Sequence, residues 1–323
     1  MPRLPRLLPT LLAVLLALCA PARAAYPERP LRIVVGFPAG GPLDSHARLL
    51  AERLQAQLGQ PVLVENRAGG NGAAGAEFVA RAPADGHTLL LANTGVMVVN
   101  PALRPGLGYQ TLRDFAPVAR TVQLPLVLLV HPGLAVPHVD ALLALARQQP
   151  GRLSYGSAGS GGLSHLVPEM FKRATGTFIV HIPYRESASA LSDLMSGQVQ
   201  LMAEAVPVAL PLLRQGRLRA LAITGRERSA ALPEVPTLLE SGIKGLELVG
   251  FYGLLAPQGT PRETVARLGE ALRLVLESPE LRARLSAQGL APAYLPGEAF
   301  ARYLAAETPV WARAIRETGI RPD

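Results

Sequence analysis

The chain has one cysteine, Cys19, only 5% aromatic residues, and no block of five or more lysines and arginines. Each scarcity excludes something. Cys19 ends an apolar run, Leu11–Leu18, which follows Arg3 and Arg6 and precedes the small-x-small tripeptide Ala22-Arg23-Ala24. That order is a secretory signal peptide over residues 1–24, cleaved near Ala24. A run so short does not reach the roughly 20 apolar residues of a membrane span, and Leu18 before Cys19 argues against lipid attachment. The mature chain therefore carries no cysteine, which removes disulfides, a thiolate nucleophile and thiolate metal ligands. Few aromatics and dispersed positive charge leave nucleic-acid binding without support. The six histidines (His46, His87, His131, His138, His165 and His181) form no pair at metal-ligating spacing on one predicted helix, so neither metal nor cofactor is expected. The formal charge is +8, of which Arg3, Arg6 and Arg23 belong to the signal. The mildly basic remainder suits small anions and equally suits ordinary solubility.

What remains is long and apolar: 323 residues, 49% hydrophobic, more than one core usually serves. Strand and helix patterns alternate throughout, predicting an α/β fold with mainly parallel sheets. Strands are expected at 31–36, 62–65, 88–92, 125–131, 178–182, 198–203, 218–223 and 249–256. Helices are expected at 43–58, 72–81, 138–148, 163–175, 187–195, 206–214, 261–276, 279–287 and 297–317. Two apolar runs closed by Pro/Gly turns, Leu124–Val130 and Phe251–Ala256, read as crossings between lobes. Lobe one is then 26–123 plus 230–323, and lobe two is 124–229. Two connecting segments permit hinge closure while limiting twist. In 297–317, Phe300, Leu304, Trp311 and Ile315 share one face, so Trp311 is expected in the core.

Two strand–turn–helix corners carry the chemistry. In Leu31–His46 an apolar strand meets Phe37-Pro38-Ala39-Gly40-Gly41-Pro42 and then a helix; Ser154–His165, SYGSAGSGGLSH, repeats the plan mid-chain. Glycines let main-chain N–H groups point at a ligand, and a helix N-terminus adds partial positive charge. Both corners are anion sites in prospect, holding one ligand between two lobes. Other readings are weaker. Gly36-x4-Gly41 lacks the lysine of a phosphate loop, since Pro42-Leu43 follows. Gly70-x-Gly-x-x-Gly75 follows a strand, but Asn93 stands where a dinucleotide site needs an acid, which favours a structural turn. An exported serine hydrolase using Ser157 or Ser160 lacks the G-x-S-x-G elbow. Ser157, Ser160, Ser164 and nearby N–H groups suit hydrogen bonding to a carboxylate better.

From Tyr26 to the last helix the chain resembles the tripartite tricarboxylate transporter substrate-binding proteins, or Bug receptors. The resemblance rests on Gly36-Phe37-Pro38-Ala39-Gly40-Gly41-Pro42-Leu43-Asp44, Val64-Glu65-Asn66-Arg67-Ala68-Gly69, Pro83-Ala84-Asp85-Gly86-His87-Thr88-Leu89, Asp114-Phe115-Ala116-Pro117-Val118, His181-Ile182-Pro183-Tyr184 and Leu232-Pro233-Glu234-Val235-Pro236-Thr237, in that order. It implies a two-lobed periplasmic binding-protein fold (type II-like) that performs no chemistry. It also implies closure on a small carboxylate (dicarboxylate, amino acid or aromatic acid) and delivery to the membrane permease subunits of a tripartite transporter. The ligand contacts so implied are Phe37, Ala39, Gly40, Gly41 and Asp44 in the first loop, and Asn93, Gly95 and Met97 along the wall. In the second lobe they are Ser157, Ala158, Gly159, Ser160 and Ser164, with Tyr184, Glu186 and Glu204 toward the distal end. Many relatives carry Lys-Gly after the tyrosine and Phe-Asp-Asn where Ala203-Glu204-Ala205 stands here. Glu186, if it faces the cleft, needs a partner: either Arg185 or a cationic group on the ligand. The chain is expected to be a monomer. A receptor that presents its closed form to a sensor kinase is the alternative partner reading.

Overall fold

Ile33, Val34 and Val35 form a strand with alternating allegiance: Ile33 and Val35 pack into one apolar cluster and Val34 into another on the opposite face. The computed structural model describes residues 26–104, 106–159 and 161–320, so the signal-peptide expectation and Ser160 lie outside the described residues. β1 (Leu31–Val35) pairs in parallel with β2 (Val62–Asn66) and β3 (Thr88–Asn93), which flank it. Between them run α1 (Pro42–Leu58) and α2 (Ala73–Ala80). After β3 come a π-turn (Gly95–Val99), α3 (Asn100–Leu103) and α4 (Thr111–Asp114).

β4 (Phe115–Val130) is the spine of the molecule. Its first part lies antiparallel to β9 (Val249–Pro257) and β10 (Ala291–Pro296). Its second part lies antiparallel to β7 (Leu201–Ala205) and β8 (Arg219–Ile223). β5 (Ser154–Ser157) joins β7 and β6 (Val180–Pro183) in parallel, and β9 joins β3 antiparallel. The α/β expectation holds, with mixed sheets: β2, β1 and β3 pair in parallel, as do β6, β5 and β7, and every pairing of β4 or β9 is antiparallel. α5 (Val139–Gln148), α6 (Leu163–Thr175), α7 (Ser187–Ser196) and α8 (Val206–Arg214) belong to the second half. α9 (Arg262–Glu277), α10 (Pro279–Ala287) and α11 (Gly297–Thr318) complete the first. Trp311 is fully buried with Phe300, Leu304 and Ile315, as the helical spacing predicts.

The return to the first half comes later than expected. Residues 230–248 were assigned to lobe one, yet Leu232 and Val235 pack with Val127 and Leu129, while Leu238 and Leu246 pack with Leu128 and Val130. Thr237 bridges Ile223 in β8. The chain recrosses at Leu248–Val249, where Thr224 ties both crossings together. The Thr224 hydroxyl donates to Leu248 O (2.6 Å) and accepts from Leu126 N (3.0 Å), and its own N–H donates to Leu126 O (2.9 Å).

The first-half loops meet backbone to backbone. A Cβ at Gly36 would lie 2.5 Å from Gly72 O, and one at Gly75 would lie 2.8 Å from Gly36 Cα. The Gly70–Gly75 motif is thus a packing device that sets the Phe37 loop against the start of α2.

Candidate functional site

The two glycine-rich corners open onto one cleft of about 500 Å³. Its walls include Gly41 and Asp44 at the start of α1, Gly162 and Ser164 at the start of α6, and Ser187 and Ala205 at the starts of α7 and α8. The first two helix starts are near copies. Gly41 has φ −75° and ψ 169°, Gly162 has φ −75° and ψ 167°, and neither helix has a side-chain cap. First-turn N–H groups have no partner inside a helix, so two uncapped, partially positive ends face the same space.

Asp44 organises the first loop. Its Oδ2 accepts from Gly40 N (2.9 Å) and Arg48 Nε (3.0 Å), and its Oδ1 from Asn66 Nδ2 (2.9 Å). Burial alone would raise its carboxyl pKa, but the bonds from Arg48, Gly40 and Asn66 outweigh that and hold it below the ordinary value. Asn66 Nδ2 also donates to Phe37 O (3.0 Å), which fixes the other end of the turn. On the wall, Asn93 Oδ1 accepts from Val96 N (3.0 Å) and starts the π-turn. Thr94 Oγ1 accepts from Phe251 N (2.8 Å), joining that turn to β9. On the buried face of α1, His46 is fully buried; burial depresses its pKa to about 3, and it bonds Thr121 Oγ1 through Nε2 at 2.9 Å.

The mid-chain loop rests on a ring stack. His165 and His181 stack at 3.8 Å, and Tyr155 lies on His181 at 4.8 Å. Gly161 N donates to His165 Nδ1 (3.1 Å), and Ala158 N to Ser164 Oγ (3.0 Å). Ser157 is fully buried, with Oγ 2.7 Å from His181 Nε2.

Of the residues singled out in the sequence, Phe37, Ala39, Gly41, Asp44, Asn93, Gly95, Ala158, Ser164 and Glu204 line this cleft. Gly40 and Gly159 are in its loops but do not line it. Four expectations are corrected. Met97 is buried in the core with Val96 and Val98, because the π-turn rotates it inward. Ser157 points beneath the loop toward His181. Tyr184 donates its hydroxyl to Asp193 Oδ2 (2.7 Å), away from the cleft lining. Glu186 is exposed at the start of α7, where it neither lines the cleft nor needs a buried partner. Missed were Asn71 and Ser187, and the wall residues Leu124, Leu126, Val208, Gly250, Phe251 and Tyr252. Tyr252 had a cue, since it lies in an apolar strand read as a crossing.

Glu204 is the acid on the second-half side. Ser187 Oγ donates to its Oε2, and Ala205 N to its Oε1 at 2.7 Å. Burial raises its carboxyl pKa, and those two bonds oppose the rise. The Tyr252 hydroxyl is pushed well above its ordinary pKa by burial and then by the charge of Glu204. A wider hollow of about 980 Å³ lies elsewhere, against α9 and the start of α11, with Arg262, Glu270, Glu298 and Arg302 on its walls. Neither glycine-rich corner reaches it.

Comparison with known proteins agrees with this geometry. The profile described as "Tripartite tricarboxylate transporter family receptor" matches residues 46–320. Protein BugT of Bordetella pertussis is 37% identical over 306 residues, covering 94% of each chain. A solved "Structure of a periplasmic transporter" superposes with a TM-score of 0.84 at 39% identity, covering 93% of this chain and 100% of that one. "R. palustris Rpa4515 with adipate" also reaches 0.84, at 36% identity, covering 92% and 100%. The chain therefore belongs to the tripartite tricarboxylate transporter family of receptors, periplasmic solute-binding proteins of the Bug type.

Proposed function

We propose that this receptor is exported to the periplasm, holds a small carboxylate in the cleft between the two sheet halves, and delivers it to the permease subunits of a tripartite transporter. The observation that carries the reading is the matched pair of uncapped helix starts, Gly41–Pro42 and Gly162–Leu163, on one cleft. An anion there meets two partial positive charges and N–H donors that folding has already oriented, so little ordering remains to be done on binding. Apolar walls from Leu124, Leu126, Leu163 and Val208 suit the carbon skeleton. That a relative has been seen with adipate supports the same ligand class. Ser157, fully buried beneath the loop, is poorly placed for a hydrolytic nucleophile.

Closure follows from the same geometry. A ligand bridging both helix starts favours the arrangement in which they are near each other, and the two crossings at Thr224 act as the pivot. The test is a thermal-shift screen of small carboxylates followed by calorimetry. A ligand at about 100 times its Kd stabilises the protein by roughly 2.7 kcal/mol. Protein that no carboxylate stabilises contradicts the reading.

A further inference from the structure

The cleft has two acids, and they differ in what surrounds them. Asp44 has Arg48 at 3.0 Å as a counter-charge. Glu204 has neutral donors only: among the described residues no Lys, Arg or His nitrogen lies within 4.0 Å of it. Both its oxygens have a neutral partner, Ser187 Oγ at Oε2 and Ala205 N at Oε1, and burial disfavours its charge, so Glu204 lacks the counter-charge that a cationic ligand group would supply. Ser187 begins α7 and Ala205 precedes α8, and neither helix has a side-chain cap at its start. Four helix starts thus reach one cleft, and Glu204 lies between the α7 and α8 starts, bonded to the Ser187 hydroxyl and the Ala205 N–H.

Resting on the carboxylate reading above, we propose that Glu204 is the specificity residue of this cleft, and that the ligand is a monocarboxylate whose distal part carries a protonated amine. The ligand carboxylate takes the α1 and α6 starts, and the ammonium donates to Glu204. A second ligand carboxylate is rejected, because it would sit beside the Glu204 carboxyl, which repels it when ionised and has no cationic partner to offset the repulsion. The Tyr252 hydroxyl lies on the same side and is close enough for Glu204 to act on its titration. It carries no charge and so supplies no counter-charge for Glu204. Arg185 and Glu186 are exposed and outside the lining, so they do not enter this balance.

Calorimetry with length-matched triplets of four, five and six carbons tests this, each comprising a monocarboxylate, an ω-amino acid and a dicarboxylate (hexanoate, 6-aminohexanoate and adipate at six). At the best-fitting length the amino acid is expected to bind at least about tenfold tighter than either companion. In Glu204→Gln that preference over the dicarboxylate is expected to shrink by about tenfold or reverse, because the amide keeps the shape, loses the charge and offers an N–H to a carboxylate. A parent protein that binds the dicarboxylate as tightly as the amino acid overturns the proposal while leaving the carboxylate reading intact. So does an amino acid no tighter than its monocarboxylate, or a preference unchanged in the variant. Absence of binding by all three classes at every length overturns both.

Discussion

Replacing Asp44 by asparagine separates a loop-building role from a ligand-touching one. Three donors converge on this carboxylate, from Gly40, Arg48 and Asn66, and its side chain is 3% exposed. Asparagine keeps the volume but turns an NH₂ toward at least one of those donors. A hydrogen bond to a buried charged acceptor is worth about 1.5–3 kcal/mol, and a neutral one about 1 kcal/mol. Arg48 is half exposed and regains water when released, so its share is discounted. The expected cost is about 2–4 kcal/mol of unfolding free energy, together with at least about tenfold weaker binding as the turn before α1 loosens. Urea denaturation at pH 7 reads the first quantity and calorimetry the second. The sign of the pH dependence is also set. Because the native carboxyl pKa lies below the unfolded one, the stabilisation is complete above the ordinary carboxylate range and fades as pH falls toward the native value. The gap between parent and Asp44→Asn should narrow below about pH 4. A variant within about 0.5 kcal/mol of the parent at pH 7, with unchanged affinity, would refute the claim that this side chain builds the loop.

Three further outcomes follow from contacts elsewhere. Ser157→Ala removes a fully buried hydroxyl 2.7 Å from His181 Nε2 and should cost about 1–3 kcal/mol in urea denaturation; a drop in affinity without any loss of stability would instead make Ser157 a ligand contact. Thr224→Val keeps shape but strands Leu126 N and Leu248 O where the chain crosses twice, costing about 2–4 kcal/mol by the same assay; a neutral result would remove Thr224 from the pivot. His46 is held neutral by burial, with a native pKa of about 3, so an unfolded chain binds a proton that the native one refuses and stability falls with pH from about 6.5 downward. The His46→Gln variant should lose up to about 1.4 kcal/mol per pH unit of that slope between pH 6 and 4, and an unchanged slope would contradict the assignment.

Periodicity made the long helices and the buried strands legible: the spans 163–175, 206–214 and 279–287 coincide with the observed helices. Two short strands show no apolar run: Ser154–Ser157, between β7 and β6, has one large side chain and is legible only as the lead-in to the mid-chain corner, while the edge strand Ala291–Pro296 carries two prolines and gives no strand signal. The front of β4 was hidden by Pro117 and by register shifts at Pro117/Ala119 and Arg120/Val122. At the site, composition gave the glycine corners, but side-chain direction decided who faces the cleft. Ser157 and Ser164 flank one short loop; the hydroxyl at the end of β5 turns down to a histidine stack, while the one at the start of α6 stays on the cleft wall. The inward turn of Met97 has no sequence signal, because a π-turn shifts the helical register there. The lobe membership of residues 230–248 is not legible because their Pro/Gly-rich stretch spaces core side chains such as Leu232, Val235, Leu238 and Leu246 without helix or strand periodicity.

The most direct measurement is a crystal structure with a bound carboxylate, whichever one calorimetry selects. The account predicts carboxylate oxygens within about 3.2 Å of first-turn N–H groups at both Leu43–Asp44 and Leu163–Ser164, in a single closed cleft. A carboxylate held at one helix start with the other facing only water would contradict it, as would one seated in the outer hollow by Arg262 and Arg302.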